Sequence, residues 1–289
     1  MGKSFFDQDG DSKETIVNAS ALTGIDLVRL IYSPDERLNN TEFTQLAMVA
    51  TGIAMVKAVQ KAGLKADVCA GLSLGEYEAL YLTGALTEED AILAVKNRGQ
   101  FMAEITGGAM SAVLTTDQNL VEEVVSGLPG VWIANYNCPG QIVISGEKEQ
   151  VEEASRILLE RKVKRVLPLK VSGPFHSGLM APAAQKLGAY LEEVEIHPLE
   201  IPYVANVNAQ VVSERERVKE YLVEQVQGSV RFEQSIREMI ALGVDTFVEI
   251  GPGKTLTGFV KKIDKGVRCY NIEEYGDVAE AAKAVLEGK

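Results

Sequence analysis

Residues Gly71-Leu72-Ser73-Leu74-Gly75 have the Gly-x-Ser-x-Gly spacing of a nucleophile elbow. Such a turn lifts its serine above the end of a strand, and the glycines permit strained backbone and close packing. The helix after the turn offers its N-terminal N–H groups, first that of Leu74, to a developing oxyanion. The pattern is short, and a tight turn whose serine merely caps a helix is the competing reading. Its context supports the elbow: the apolar run ADVCAG over 66–71 precedes it, and a helical stretch to about Thr83 comes after it.

A serine nucleophile needs a base. The chain has two histidines, His176 and His197. His176 lies in the turn-rich segment VSGPFHS, the kind of loop that hosts catalysis on a rigid scaffold. His197 lies among charged residues in EIHP and reads as a surface histidine. A hydrolase triad also needs an acid. Between Ser73 and His176 the aspartates are Asp90 and Asp117, both at helix starts where capping is their role. No acid stands out, which counts against a plain esterase or lipase. Arg98, in NRGQFM, offers a planar fork for a carboxylate; the alternative is a charge facing a helix C-terminus.

Other patterns fail. GPGKT over 251–255 resembles the end of a phosphate-binding loop, but the glycine required five positions before Gly253 is Val248. Cys69, Cys138 and Cys269 are scattered, which argues against a disulfide framework and a thiolate metal site. A net charge of -12 makes nucleic acid an unfavourable partner. No apolar run reads as a membrane span and the first residues do not read as a signal peptide, so a cytoplasmic location is expected.

The elements that must position these residues alternate between helix and strand, which predicts an α/β fold with a largely parallel sheet. Helices are predicted over 12–33, 42–62 and 87–105. The order over 109–170 is β-α-β-β-α-β, a ferredoxin-like unit inserted in a larger one. The expected domains are therefore 1–107 with 173–289, and 108–172. Later strands are predicted over 201–206, 245–250 and 268–272, with helices over 215–226, 231–242, 254–263 and 277–287.

Taken together and in order, GLSLGEYEAL, NRGQFM, GGAMSAVL, ANYNCPGQIVISG, VSGPFHS and EIGPGKTLTG resemble the malonyl-CoA:acyl carrier protein transacylases. The resemblance covers nearly the whole chain. It implies an α/β-hydrolase-like domain with a ferredoxin-like insert, and transfer of malonyl from malonyl-CoA to acyl carrier protein in fatty acid biosynthesis, without a cofactor or metal. By the same resemblance Ser73 is the nucleophile, His176 the base and acid, and Arg98 the clamp for the malonyl carboxylate. The Leu74 N–H is an oxyanion donor, and the backbone carbonyl of Gln225, in LVEQV, orients the histidine. Asn135 and Asn137 line the cleft, and Phe175 crowds out an α-methyl branch. The carrier protein would dock on local basic residues, for which the run Arg161–Arg165 with Lys254, Lys261 and Lys262 is the candidate.

Two departures qualify the resemblance. Leu72 stands where many members have histidine, which should alter pocket shape rather than chemistry. The family's opening apolar strand and Gly-Gln-Gly turn, source of a second oxyanion donor, are also not found. MGKSFF matches the family's segment just downstream of that turn, and Gln8 is no substitute for its glutamine. A misplaced start and an open sheet edge are the expectations. The competing functions are an α/β serine hydrolase, indifferent to loss of Arg98, and a non-catalytic carrier-protein-binding homologue.

Overall fold

The computed structural model describes residues 1–288. It opens with helices α1 (Lys3–Gln8), α2 (Gly10–Thr23) and α3 (Leu27–Tyr32). The single helix predicted over 12–33 is broken at Gly24, which caps α2 in the left-handed region at φ 70. The Asp26 carboxylate then accepts from the Arg29 N–H and starts α3 afresh. Helix α1 was not among the predicted elements.

Helix α4 (Thr41–Lys61) corrects the sequence reading, because by length and composition alone it could cross a membrane. Its most apolar window is 72% buried inside the protein, so its apolarity serves the core. Leu46, Val49 and Ile53 pack there with α2 and the next two helices, α5 (Gly75–Leu82) and α6 (Glu88–Ala103). The Thr87 side chain caps α6 by accepting from the Asp90 N–H.

The next segment keeps the predicted order: β1 (Gly108–Leu114), α7 (Gln118–Ser126), β2 (Val131–Cys138), β3 (Gln141–Glu147), α8 (Lys148–Glu160) and β4 (Arg165–Pro168). These strands form one antiparallel sheet in the order β2-β3-β1-β4. α7 and α8 bury Val121 and Leu158 with Val113 and Ile144 of that sheet. The unit is stitched to the rest of the chain: the Tyr136 N–H donates to the Val230 carbonyl (2.9 Å), and the Val230 N–H to that of Ala134 (2.8 Å).

Helix α9 (Ala181–Leu191), which the sequence reading missed, comes next. Then come β5 (Tyr203–Val204), β6 (Val211–Val212), α10 (Val218–Gln227), α11 (Phe232–Ala241), β7 (Thr246–Ile250), α12 (Thr255–Ile263), β8 (Arg268–Ile272) and α13 (Tyr275–Glu287). The fold is α/β with mixed rather than largely parallel pairing. The parallel part comprises the β7–β8 pair and bridges such as Cys69–Tyr203. The strands predicted over 66–71 and 201–206 pair only briefly, because the chain turns out of the ladder at the elbow. Among the described residues β7 is paired along one edge, and each of its residues is only half-buried.

Candidate active site

The elbow is built by a close approach of backbone to backbone. A Cβ on Gly71 would overlap the carbonyl of Gly75 and lie 2.5 Å from the Glu76 nitrogen. Ser73 takes φ 54, a left-handed conformation that costs a non-glycine residue about 1–3 kcal/mol. Two buried side chains, those of Asn206 and Gln225, hold this turn. The Ser73 N–H donates to Oδ1 of Asn206 (2.6 Å), and Nδ2 of Asn206 donates to the Gly71 carbonyl (2.6 Å). The Leu74 N–H, by contrast, has no acceptor among the described residues.

The fold brings Ser73 and His176 together. Ser73 Oγ lies 2.7 Å from Nε2 of His176, and Nδ1 of His176 lies 2.8 Å from the backbone carbonyl of Gln225. A carbonyl only accepts, so Nδ1 carries the proton and Nε2 is left to accept from the serine hydroxyl. His176 is also left-handed, at φ 57. Burial, helped by the Arg98 charge, lowers its pKa to about 4. At neutral pH the ring is therefore uncharged and can take a proton. Acylation by a coenzyme A thioester should stay level from neutral pH down to about 5, then fall as pH drops through about 4; single-turnover rates against pH check this. The sign for stability is the same. The unfolded chain binds a proton near the ordinary value of 6.5 and the folded one only near 4, so acidification through that window favours unfolding.

Arg98 is 1% exposed, so the helix-end alternative is excluded. Its NH2 donates to Ser73 Oγ (3.0 Å) and to Oε1 of Gln225 (2.9 Å), and its NH1 donates to Oε1 of Gln45. Its Nε–H is buried without a partner. The Gln225 amide also donates to the Ser73 carbonyl (2.8 Å) and to the Glu76 carboxyl (2.6 Å). Burial pushes that carboxyl up to about 8, against the opposing pull of Gln225, Asn206 and Arg98.

Other predicted residues fall elsewhere. His197 is half-buried with Nδ1 3.8 Å from Glu195, away from Ser73. Asp117 caps α7, and Asp90 pairs with the Thr87 hydroxyl. Asn135 and Asn137 are buried on β2, and neither hydrogen-bonds to Ser73, His176 or Arg98. The GPGKT loop is closed to phosphate: the Glu249 carboxylate already accepts from the Leu256 and Thr257 N–H groups that open α12. Sequence reasoning missed Gln45, Glu76 and Asn206. The only local signals were a glutamine on the apolar face of α4 and a glutamate directly after the elbow glycine.

A serine activated by histidine, with no acid behind the histidine and a buried cation beside the hydroxyl, is equipment for moving an acyl group. The chain belongs to the acyl transferase domain family, which residues 6–283 match. Over 295 residues it is 41% identical to the malonyl CoA-acyl carrier protein transacylase of Bacillus subtilis, covering 99% of this chain and 93% of that one. Its structure is similar to the crystal structure of MCAT from Streptococcus pneumoniae, with TM-score 0.94 and 44% identity, covering 98% of this chain and 94% of that one. It is also similar to a malonyl-transacylase solved in complex with its type II PKS acyl-carrier protein, with TM-score 0.91 and 34% identity, covering 100% and 95%.

Proposed function

We propose that this chain transfers malonyl from malonyl-CoA to the phosphopantetheine thiol of acyl carrier protein, in fatty acid biosynthesis, and that Ser73 carries the acyl group. The observation that carries the site assignment is the position of Ser73 Oγ, within hydrogen-bonding distance of both a neutral histidine and a buried arginine.

His176 Nε2 takes the Ser73 proton as Oγ attacks the thioester carbonyl. The carbonyl oxygen becomes an oxyanion facing the Leu74 N–H at the start of α5. The Gln225 carbonyl steadies the imidazolium through Nδ1. Collapse breaks the carbon–sulfur bond, the imidazolium returns its proton to the departing thiolate, and CoA leaves. Malonyl-Ser73 remains, with its free carboxylate on Arg98. The carrier thiol then gives its proton to His176 and attacks the ester. The ester bond breaks, His176 reprotonates Ser73 and malonyl-carrier protein departs.

Further readings complete the proposal. The larger unit, 1–107 with 173–289, is α/β-hydrolase-like, and 108–172 is a ferredoxin-like insert, supported by the strand order β2-β3-β1-β4 and by α7 and α8. Phe175 packs against Met110 and Ala112 of the insert's sheet, where it would disfavour an α-methyl branch. Carrier docking draws on the run Arg161–Arg165, whose Arg161, Lys162, Lys164 and Arg165 are exposed, and on the exposed Lys254, Lys261 and Lys262. A cytoplasmic location and independence from any cofactor belong to the same reading.

The test is to incubate the protein with malonyl-CoA or acetyl-CoA and weigh it intact. A malonyl adduct should form on the native chain and not on Ser73→Ala. Arg98→Ala should lose malonyl far more than acetyl labelling. Equal labelling of the native chain by both thioesters would remove Arg98 from the scheme, and absence of any adduct would leave a carrier-protein-binding role.

A further inference from the structure

We infer that Gln45 is a specificity-determining residue, whose carboxamide holds Arg98 in place without neutralising it and so reserves the guanidinium charge for the carboxylate of the acyl group. The inference rests on the reading of Arg98 as the carboxylate clamp.

A buried guanidinium usually sits against a carboxylate, because an unpaired charge is costly to desolvate. Arg98 is an exception. Among the described residues its acceptors are Gln45 Oε1, Gln225 Oε1 and Ser73 Oγ, each uncharged, and it takes part in no ion pair. The nearest acid to influence it is Glu76, whose oxygens accept instead from Gln225 Nε2 (2.6 Å) and from the Asn206 N–H (3.4 Å). Burial keeps that carboxyl largely protonated at neutral pH. The site therefore holds a net positive charge, with the Nε–H still unpartnered.

Gln45 is built to hold without neutralising. It is 4% exposed on α4, across the guanidinium from Gln225 on α10. Its amide nitrogen is already committed, donating to Thr41 Oγ1 (3.1 Å) and to Met102 Sδ (3.6 Å). That commitment fixes which end of the amide faces Arg98. Turned over, it would set its own N–H groups against those of the guanidinium. A glutamate at this position would have nearly the same shape but would close the charge internally. An incoming acyl carboxylate would then meet a paired arginine and a second negative charge.

The experiment compares initial rates of adduct formation from malonyl-CoA and acetyl-CoA, and KM against kcat, for the native chain, Gln45→Glu, Gln45→Leu and Arg98→Ala. Gln45→Glu should lower the malonyl-to-acetyl ratio by about 10–100-fold, the range of a hydrogen bond to a charged group, mainly through a higher KM for malonyl-CoA. Gln45→Leu removes the grip but adds no charge, so it should lower the ratio less. If Gln45→Glu does not fold, Gln45→Leu decides alone, and an unchanged ratio overturns the inference. Equal losses of malonyl and acetyl transfer in both variants would mark Gln45 as structural and overturn it too. Arg98→Ala separates the two levels. If Arg98→Ala leaves the ratio unchanged, the clamp reading itself fails. If it collapses the ratio while Gln45→Glu does not, only the role of Gln45 fails.

Discussion

Gly71→Ala is expected to leave the chain unable to form an acyl-enzyme at a useful rate. The added methyl would overlap the Gly75 carbonyl and approach the Glu76 nitrogen, and all of these atoms are backbone. No side chain can rotate away to make room. Either the strand end or the first turn of α5 must shift, and both carry reacting groups: Ser73 Oγ on one side and the Leu74 N–H on the other. A misplacement of about 1 Å typically costs 10²-fold. Loss of one oxyanion donor costs about 10²–10³. We expect acylation by malonyl-CoA to fall by at least about 10³, together with a lower melting temperature, measured by intact mass and calorimetry. Gly75→Ala is the control. Its Cβ would meet nothing within 4 Å, and Gly75 is not among the residues with positive φ. It should remain active. Equal damage from the two substitutions would remove the steric account of the elbow. The two glycines of the motif look equivalent in the sequence and are not equivalent in space.

That asymmetry shows what could and could not be read in advance. Ser73 and His176 were legible because histidine is scarce in this chain and each residue sits in a local signature, an elbow and a turn-rich loop. Arg98 was legible as a type, but its burial was not, and burial is what argues against a helix-end charge. The Gln225 carbonyl came only through family resemblance, because a backbone oxygen has no residue type. Asn206, Gln45 and Glu76 stayed invisible for a related reason. Their partners lie far away in sequence, 133 residues from Asn206 to Ser73 and 53 from Gln45 to Arg98, and neither pairing leaves a periodic trace. The fold shows the same division. The antiparallel unit from β1 to β4 was readable because its alternation and turns are local. The helix predicted over 12–33 failed at one glycine cap. The sheet predicted as largely parallel failed because the elbow strand leaves its ladder after a single bridge, at Cys69.

At the point where that ladder stops, Asn206 takes over, and its substitution carries the second large expected effect. Cys69 and β5 exchange two backbone bonds: the Cys69 N–H donates to the Pro202 carbonyl (3.2 Å) and the Val204 N–H to the Cys69 carbonyl (2.9 Å). Two residues on, the elbow has carried the backbone away, and the Asn206 carboxamide supplies one acceptor and one donor in place of a peptide group. A side-chain amide carries its acceptor and its donor on separate atoms, so one short side chain reaches both backbone groups at once. Asn206→Ala leaves the buried Gly71 carbonyl and the Ser73 N–H unpaired, at about 1–3 kcal/mol each. With that support gone, the left-handed Ser73 can relax toward an ordinary conformation, which moves Oγ off His176. The expected outcome is roughly a 10²-fold loss in acylation rate and a melting temperature several degrees lower. Asn206→Asp keeps the acceptor for the Ser73 N–H but sets a carboxylate oxygen against the Gly71 carbonyl, beside the Glu76 carboxyl. It should therefore be no better than alanine, although its shape is nearly that of asparagine. In both variants the loss should fall on the acylation rate and spare KM for malonyl-CoA, because Asn206 makes no hydrogen bond to Arg98. A raised KM with an intact rate would show that the carboxamide acts on the clamp and not on the serine.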